Sequence, residues 1–352
     1  MDRLAWSSAE LLDRESGLEP LIASGVRCHG GFDADGRYRS PRTQHRMPAI
    51  AAWQARLQKE GHALVVIPDA LLPPHHPNVA QAKLLLLEGV REPIVRALTM
   101  ISIVEGFGAI IRDVPVPELG ALVVQPIDGT ALAHLDHGLF EAHARDEAGH
   151  KDEGGHKQMW EAARDLALES PKIPSDILMR MMGGARARTR RERAYPMLDE
   201  TLEGLLATMV SVLVIEVFAR GTFDWGEQLL SDPEVSAKPR EAGAMVGYIR
   251  SDEAPHVEYL RTALSEVRAR TLCTVDGKTI EGRVVVDGLL HRALSFSTKQ
   301  RPEEQRTATR TAITAALEKE ADPSRARSIL ERFESLETPF SPSATTGFEA
   351  AE

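Results

Sequence analysis

The sequence has little cysteine. It holds two in 352 residues, Cys28 and Cys273, and neither lies in a CxxC. That fits a reducing cytoplasm and excludes a thiolate-rich metal site. It also lacks an excess of positive charge. The formal net charge is −10, which argues against a nucleic-acid binder, since such proteins carry a basic surface to neutralise phosphate. Uninterrupted apolar runs are short. None reaches the roughly 18 residues of a membrane span, and the best candidate, ATMVSVLVIEVFA, is broken by Glu216. The opening MDRLAWSSAELLDRESG has no basic segment followed by an apolar one, so no signal peptide is expected. Aromatic residues make up only 5% against 43% hydrophobic overall. The expectation is a cytoplasmic protein with no membrane and no nucleic-acid partner.

Hydrophobic periodicity and breakers divide the chain. Residues 1–77 read as an irregular N-terminal extension: CHGGFDADGRYRSPR as turns, one helix near PAIAAWQARLQKEG stopped by Gly61, and ALVVIP as a short strand. DADG at 33–36 lacks the later acidic ligands of a calcium loop, with Gln44 where a Glu would close it. Residues 78–270 read as helical, with a break near Pro93 and helices over about 131–168, 195–223 and 239–270. A further short helix is expected over PSDILMRMMGG. Residues 271–340 read as a hairpin turning at Asp276-Gly277 followed by two helices, and 341–352 as a disordered tail.

Within the helical part a unit occurs twice. MISIVEGFGAIIRD (100–113) aligns with SVLVIEVFARGTFD (211–224), so that Glu105 falls on Glu216, Phe107 on Phe218 and Asp113 on Asp224. Each copy is followed by a near-identical pentapeptide, DEAGH at 146–150 and DEAPH at 252–256. Glu and His three residues apart share one helical face. Glu105 and Glu216 sit in apolar runs and are expected to be buried, which costs several kcal/mol for a lone carboxylate or shifts its pKa. A bound cation would remove that cost, and carboxylate plus imidazole suits iron, manganese or zinc. The candidate ligands are Glu105, Glu147, His150, Glu216, Glu253 and His256.

This set, in this order and spacing, resembles the ferritin-like di-iron carboxylate oxygenases and oxidases over roughly residues 90–265. It has partial similarity to the para-aminobenzoate N-oxygenases. The resemblance implies an all-α fold: a ferritin-like four-helix bundle with a duplicated Glu and Glu-x-x-His helix pair, flanked by terminal extensions. It implies two iron ions, or a manganese–iron pair, with O2 as co-substrate and an external electron donor. The implied reaction is hydroxylation, N-oxygenation or desaturation of a small organic or carrier-bound substrate, by a chain that could form a homodimer. The alternative is a ferroxidase or ribonucleotide-reductase-subunit-like protein that binds metal without turning over an organic substrate. Asp146 and Asp252 are implied to accept hydrogen bonds from the ligand histidine of the opposite helix.

Other residues stay open. His143 lies four before Glu147 and is read either as a seventh ligand or as a histidine facing the substrate. Glu153 and His156 repeat the Glu-x-x-His spacing, but Gly154 and Gly155 weaken a helix there, so that pair is assigned to the surface, as are His134 and His137. Pro255 either kinks a helix or opens one. Gly106, Gly108, Ala109 and Ala219 are small residues that would leave room for a substrate. The arginines of RARTRRER (186–193) are read as a solvated helix end or as a dock for an acidic partner.

Overall fold

The computed structural model describes residues 3–67, 76–177, 192–320 and 322–337. Helices dominate and sheet is scarce, in line with an all-α class. A short α1 (Ser8–Leu11) precedes strands β1 (Glu19–Ala23), β2 (Val26–Phe32) and β3 (Tyr38–Arg39). Then come α2 (Arg46–Lys59), α3 (Val79–Leu87) and α4 (Glu92–Gly108), which continues as a 3-10 turn to Asp113, and the short α5 (Leu119–Leu122). A tight helical stretch over Ala131–Phe140 leads into α6 (Glu141–Ala148) and α7 (His156–Leu168). The long α8 (Glu200–Leu230), α9 (Pro239–Asp252) and α10 (Ala254–Arg268) follow. A hairpin of β4 (Thr271–Cys273) and β5 (Thr279–Glu281), then α11 (Gly282–Ser295), α12 (Arg301–Glu320) and α13 (Pro323–Ser335), complete the chain.

Local chemistry accounts for most boundaries. Asn78 and Gln81 form a reciprocal cap at the start of α3, and Gly89 at φ +80° lets the chain turn before α4, where Pro93 sits in the first turn. The Asp199 carboxylate accepts from the N–H groups of Thr201 and Leu202 and so opens α8. Pro255 falls in the first turn of α10. With Glu253 as the joint between α9 and α10, one apolar face runs through both at a bend.

Four helical rods surround the middle of the molecule: α4, the α6–α7 pair, α8, and the α9–α10 pair. α4 packs on α6 and α7, α9 packs on α7 and α8, and α10 packs on α8. Two apolar clusters form along these rods. One includes Phe140, Leu213, Val217, Tyr259 and Leu260; the other includes Leu98, Trp160, Phe223, Val246 and Ile249. On α8 the first cluster ends at Val217 and the second resumes at Phe223. On the last rod, Ile249 belongs to one cluster and Val257 to the other. Glu216 and the Asp252–His256 stretch therefore sit at a waist between two apolar cores. The most apolar 18-residue windows of segment Glu92–Asp113 and of α8 have mean hydropathies of 1.8 and 2.0, and by length and composition both helices could cross a membrane. Each holds a buried carboxylate, Glu105 or Glu216, at this waist.

Several expectations need correction. The Gly- and Asp-rich N-terminal segment is not only turns: β1, β2 and β3 form an antiparallel sheet. ALVVIP pairs with no strand among the described residues; the Val65 N–H donates to Ser265 Oγ at 2.8 Å. The helix at 282–295 had no counterpart in the reading of the sequence. The expected helix over 131–168 is interrupted. Gly149, at φ +83°, ends α6. A short hairpin loop, closed by His150 and Glu153 exchanging backbone hydrogen bonds, separates it from α7, which continues along α4 in the same direction. The short helix expected at 174–184, the arginine segment through 191 and the tail from 341 fall mainly or wholly outside the described residues. Arg193 is described. It binds the Glu203 carboxylate and the Leu198 carbonyl, a local tie at the start of α8.

The loop after α6 is tightly built. A Cβ on Gly149 would lie 2.2 Å from the Glu153 carbonyl oxygen, whereas one on Gly277, at a similar φ in the β4–β5 turn, would meet nothing within 4 Å. Gly277→Ala should cost about 1 kcal/mol, the left-handed penalty alone. Gly149→Ala should cost at least about 2 kcal/mol more, because backbone must move. Equal urea midpoints for the two variants would show that the loop is not rigid.

Candidate metal centre

The four glutamates of the duplicated unit converge. Glu105, Glu147, Glu216 and Glu253 are all buried, with exposures of 9%, 3%, 7% and 3%. They come from α4, α6, α8 and the α9–α10 joint, one from each rod. His256 belongs to the same group, its Nδ1 2.8 Å from Glu253 Oε2 and 3.2 Å from Glu147 Oε1.

His150 does not join them. The helix that would carry it on the face of Glu147 stops at Ala148, and the residue lies in the loop, partly exposed. His156, assigned to the surface from sequence, takes the place instead. Gly155 caps α7, and its own N–H donates to the Gln158 side chain. His156, the first residue of α7, is fully buried. Its Nδ1 lies 2.9 Å from Glu253 Oε1, 3.4 Å from Glu147 Oε1 and 3.5 Å from Glu105 Oε2. The first copy of the motif is thus DEA, then a loop, then GH. Glu153 stays at the periphery in ion pairs with Arg14 and Arg27. His134 stacks on Trp53 and His137 is exposed beside Asp136, both away from the cluster.

His143 is the third imidazole. It is fully buried, stacks on His256 with ring centroids 3.9 Å apart, and turns Nε2 toward Glu216 at 3.3 Å and Glu147 at 3.6 Å. Each imidazole therefore directs one nitrogen inward and has its other nitrogen near an oxygen outside the cluster. His256 Nε2 is 2.9 Å from Asp146 Oδ2, His143 Nδ1 is 3.0 Å from the Tyr259 hydroxyl, and His156 Nε2 is 3.6 Å from Asp252 Oδ2. The hydrogen bonds of His256 to Asp146 and of His143 to Tyr259 fix those two rings' tautomer and orientation, and Asp252 lies just beyond hydrogen-bond distance of His156.

The N-terminal segment supplies a layer the sequence did not reveal. Arg42 and Arg46 both bind the Asp146 carboxylate, Arg46 Nη2 at 2.7 Å from Oδ2. His29 of β2 and the Tyr38 hydroxyl of β3 both reach Asp252 Oδ2, at 3.2 and 2.8 Å. The loop after α6 is stitched to β2 as well: the Gly154 N–H donates to the Arg27 carbonyl and the His29 N–H to the Gly154 carbonyl.

Electrostatics show how strained this layer is without cations. Burial and the Glu147 carboxylate push Glu105 up to about 8. Burial with Glu253 and Glu147 pushes Glu216 well above the usual carboxylate range. Burial alone would lower His156 and His256, but the carboxylates around them, Glu253 first, hold both well above the ordinary imidazole value. Burial would raise Glu253, yet the His156 and His256 rings hold it well below its ordinary value. His143 is the exception: burial and His256 keep it well below the ordinary value, hence neutral.

The donor set fits metal ions. His143 Nε2, His156 Nδ1 and Glu253 Oε1 are buried and have no hydrogen-bond partner. Ligand atoms of His143, Glu147, Glu216 and His256 all lie within 4.8 Å of one another, and so do those of Glu147, His156, Glu253 and His256. His29, His156 and Asp252 form a third such group, sharing His156. Six buried carboxylates and two buried guanidiniums meet here, so the fully ionised layer with neutral imidazoles carries four negative charges. Two divalent cations cancel that charge.

The small residues near the glutamates divide by role. A Cβ on Gly108 would lie 2.5 Å from Glu147 Cγ, and one on Gly106 would lie 2.8 Å from Lys157 Cδ. These glycines admit neighbouring side chains and do not open a void. Ala219 does line a cavity of about 450 Å³ between α4, α8 and α12, and Glu105 lines it too.

Neither a family model nor a curated protein nor a solved structure matches this chain at a significant level.

Two outcomes test the centre. His156→Ala should lose at least one of two bound metals while His150→Ala keeps both, as counted by elemental analysis of folded protein. The reverse pattern would restore the simple Glu-x-x-His reading. Metal affinity should also depend on pH. Glu105, pushed up to about 8, holds a proton in the metal-free site at neutral pH, Glu216, His156 and His256 are shifted in the same direction, and a metal must displace such protons. Affinity should therefore rise as the pH is raised through about 8, where Glu105 ionises. Calorimetry in buffers of different ionisation enthalpy should show net proton release; a buffer-independent heat would contradict this.

Proposed function

We propose that the protein is a non-haem di-iron oxidoreductase of the ferritin-like kind, which uses O2 to oxidise a small organic or carrier-bound substrate. The observation that carries this reading is the buried convergence of Glu105, Glu147, Glu216 and Glu253 with the inward nitrogens of His156, His256 and His143. Glu105, Glu147, Glu216 and Glu253, with His143, His156 and His256, would together hold the two metals. Four rods each giving one glutamate support a ferritin-like bundle. Iron held this way supplies O2 activation by electron transfer, chemistry that side chains alone do not provide.

The chain's own residues would then do the rest. The two apolar cores exclude water from the waist. Asp146 and the Tyr259 hydroxyl orient the rings of His256 and His143. Arg42 and Arg46 keep Asp146 ionised, so that it accepts from His256 Nε2 and leaves Nδ1 free to bind metal. The cavity brings a substrate beside Glu105, and this favours turnover over simple iron storage. An external electron donor is part of the proposal. A dock formed by the arginine segment at 186–191 lies outside the described residues.

Anaerobic loading with ferrous iron should give two irons per chain. Exposure to O2 should then change the near-ultraviolet and visible absorbance with stoichiometric O2 consumption. Uptake of hundreds of irons per chain, or no O2 consumption by the loaded protein, would defeat the proposal. His143→Ala should retain both irons and shift the absorption bands; an unchanged spectrum would remove His143 from the ligand set.

A further inference from the structure

The cavity beside Glu105 has a composition that speaks to its occupant. Its walls are largely apolar side chains of α4 and α8, flanked on the outside by Ala308, Thr309, Ala312 and Ile313 of α12. Met100, Val104 and Ile215 line it and remain 39%, 45% and 43% exposed. These are large apolar surfaces left uncovered in a recess next to the candidate metal centre. A volume of about 450 Å³ lies within the range of small-molecule sites.

Its charge is nearly cancelled. Among the described lining residues the only cation is Arg96, and both edges of its guanidinium are engaged. Nε and Nη2 donate to Glu92 at 2.9 and 2.8 Å, and Nη1 and Nη2 donate to Asp176 at 2.9 and 2.7 Å. His76 also lines the cavity; burial pushes it down to about 4, so it is neutral at pH 7. Among the described lining residues the carboxylate is Glu105, which already faces His156 at 3.5 Å. Among the described residues an anionic group entering this recess would find no free counter-ion, and an unpaired charge out of water is disfavoured.

We infer that the cavity between α4, α8 and α12 binds a neutral, largely hydrocarbon molecule whose inner end lies against Glu105, and that α12 sets the width of the site. This rests on the di-metal reading for its significance to catalysis but not for the binding itself. Ala312 on the outer wall and Ala219 on the inner wall are the positions where added bulk fills the space.

The test uses the full chain, metal-free and metal-loaded, with the neutral fluorophore N-phenyl-1-naphthylamine. Wild type should bind it saturably. Ala312→Trp and Ala219→Trp should each weaken binding at least tenfold while far-UV circular dichroism stays unchanged. Bound probe should be displaced by 1-dodecanol at concentrations at least tenfold below those needed for dodecanoate or dodecyltrimethylammonium, compared below their micelle-forming concentrations. No saturable binding, folded variants that bind like wild type, or better displacement by either ion would overturn the inference. If a variant does not fold, the competition on wild type decides. Probe binding by a chain that takes up no metal would sink the di-metal reading and leave the cavity standing. Two bound metals with no probe binding would do the opposite.

Discussion

Burying charge at the waist is the constraint on which the rest of this structure depends. Four glutamates and two aspartates are buried around one set of imidazoles between two apolar cores, and the guanidiniums that meet them among the described residues are those of Arg42 and Arg46. Such a layer holds together only with protons or cations in it. The raised pKa values of Glu105 and Glu216 and the charged states of His156 and His256 describe the protonated version. The bend at Pro255, the loop at Gly149 and the small side of Gly108 all allow the carboxylates and rings to meet at one level.

The regions outside the four rods have specific tasks in this arrangement. The N-terminal sheet and α2 buttress the two aspartates, but unequally. Asp146 is held by two guanidiniums, while Asp252 is held by an imidazole and a phenol. The two ends of the cluster thus experience different outer fields although the inner carboxylates are nearly symmetric. His143 adds to that inequality, since Ile249 stands at the corresponding place in the second copy. On the other side of the molecule, α12 flanks α4 and α8 and supplies the outer wall of the cavity.

Much of the helical frame was legible in the sequence because it rests on local rules: the stop at Gly61, the breaks at Pro93 and Pro255, and the doubled Glu-containing apolar run. The glutamates and His256 followed from the repeat. His150 was misplaced because DEAGHKDEGGH offers two histidines, and the spacing rule favours the one that keeps the helix continuous. The signal for the other choice was present. Gly149 could end a helix, and the Gly154-Gly155 pair could open the next. Arg42, Arg46, His29 and Tyr38 left no comparable trace. They meet Asp146 and Asp252 across about a hundred or more residues, and no local period encodes such a pairing. The β-sheet was hidden by the Gly- and Asp-rich composition of β2 and its turns.

The contact between His29 and Asp252 spans 223 residues of chain. Closing so long a loop is entropically slow, and contacts of this kind delay folding. During synthesis from the N-terminus, His29, Tyr38, Arg42 and Arg46 are made long before α9 and α10 emerge to receive them. The contacts of His29 and Tyr38 with Asp252 can therefore form only once the last of the four rods has been made, so this outer support of the cluster is completed late.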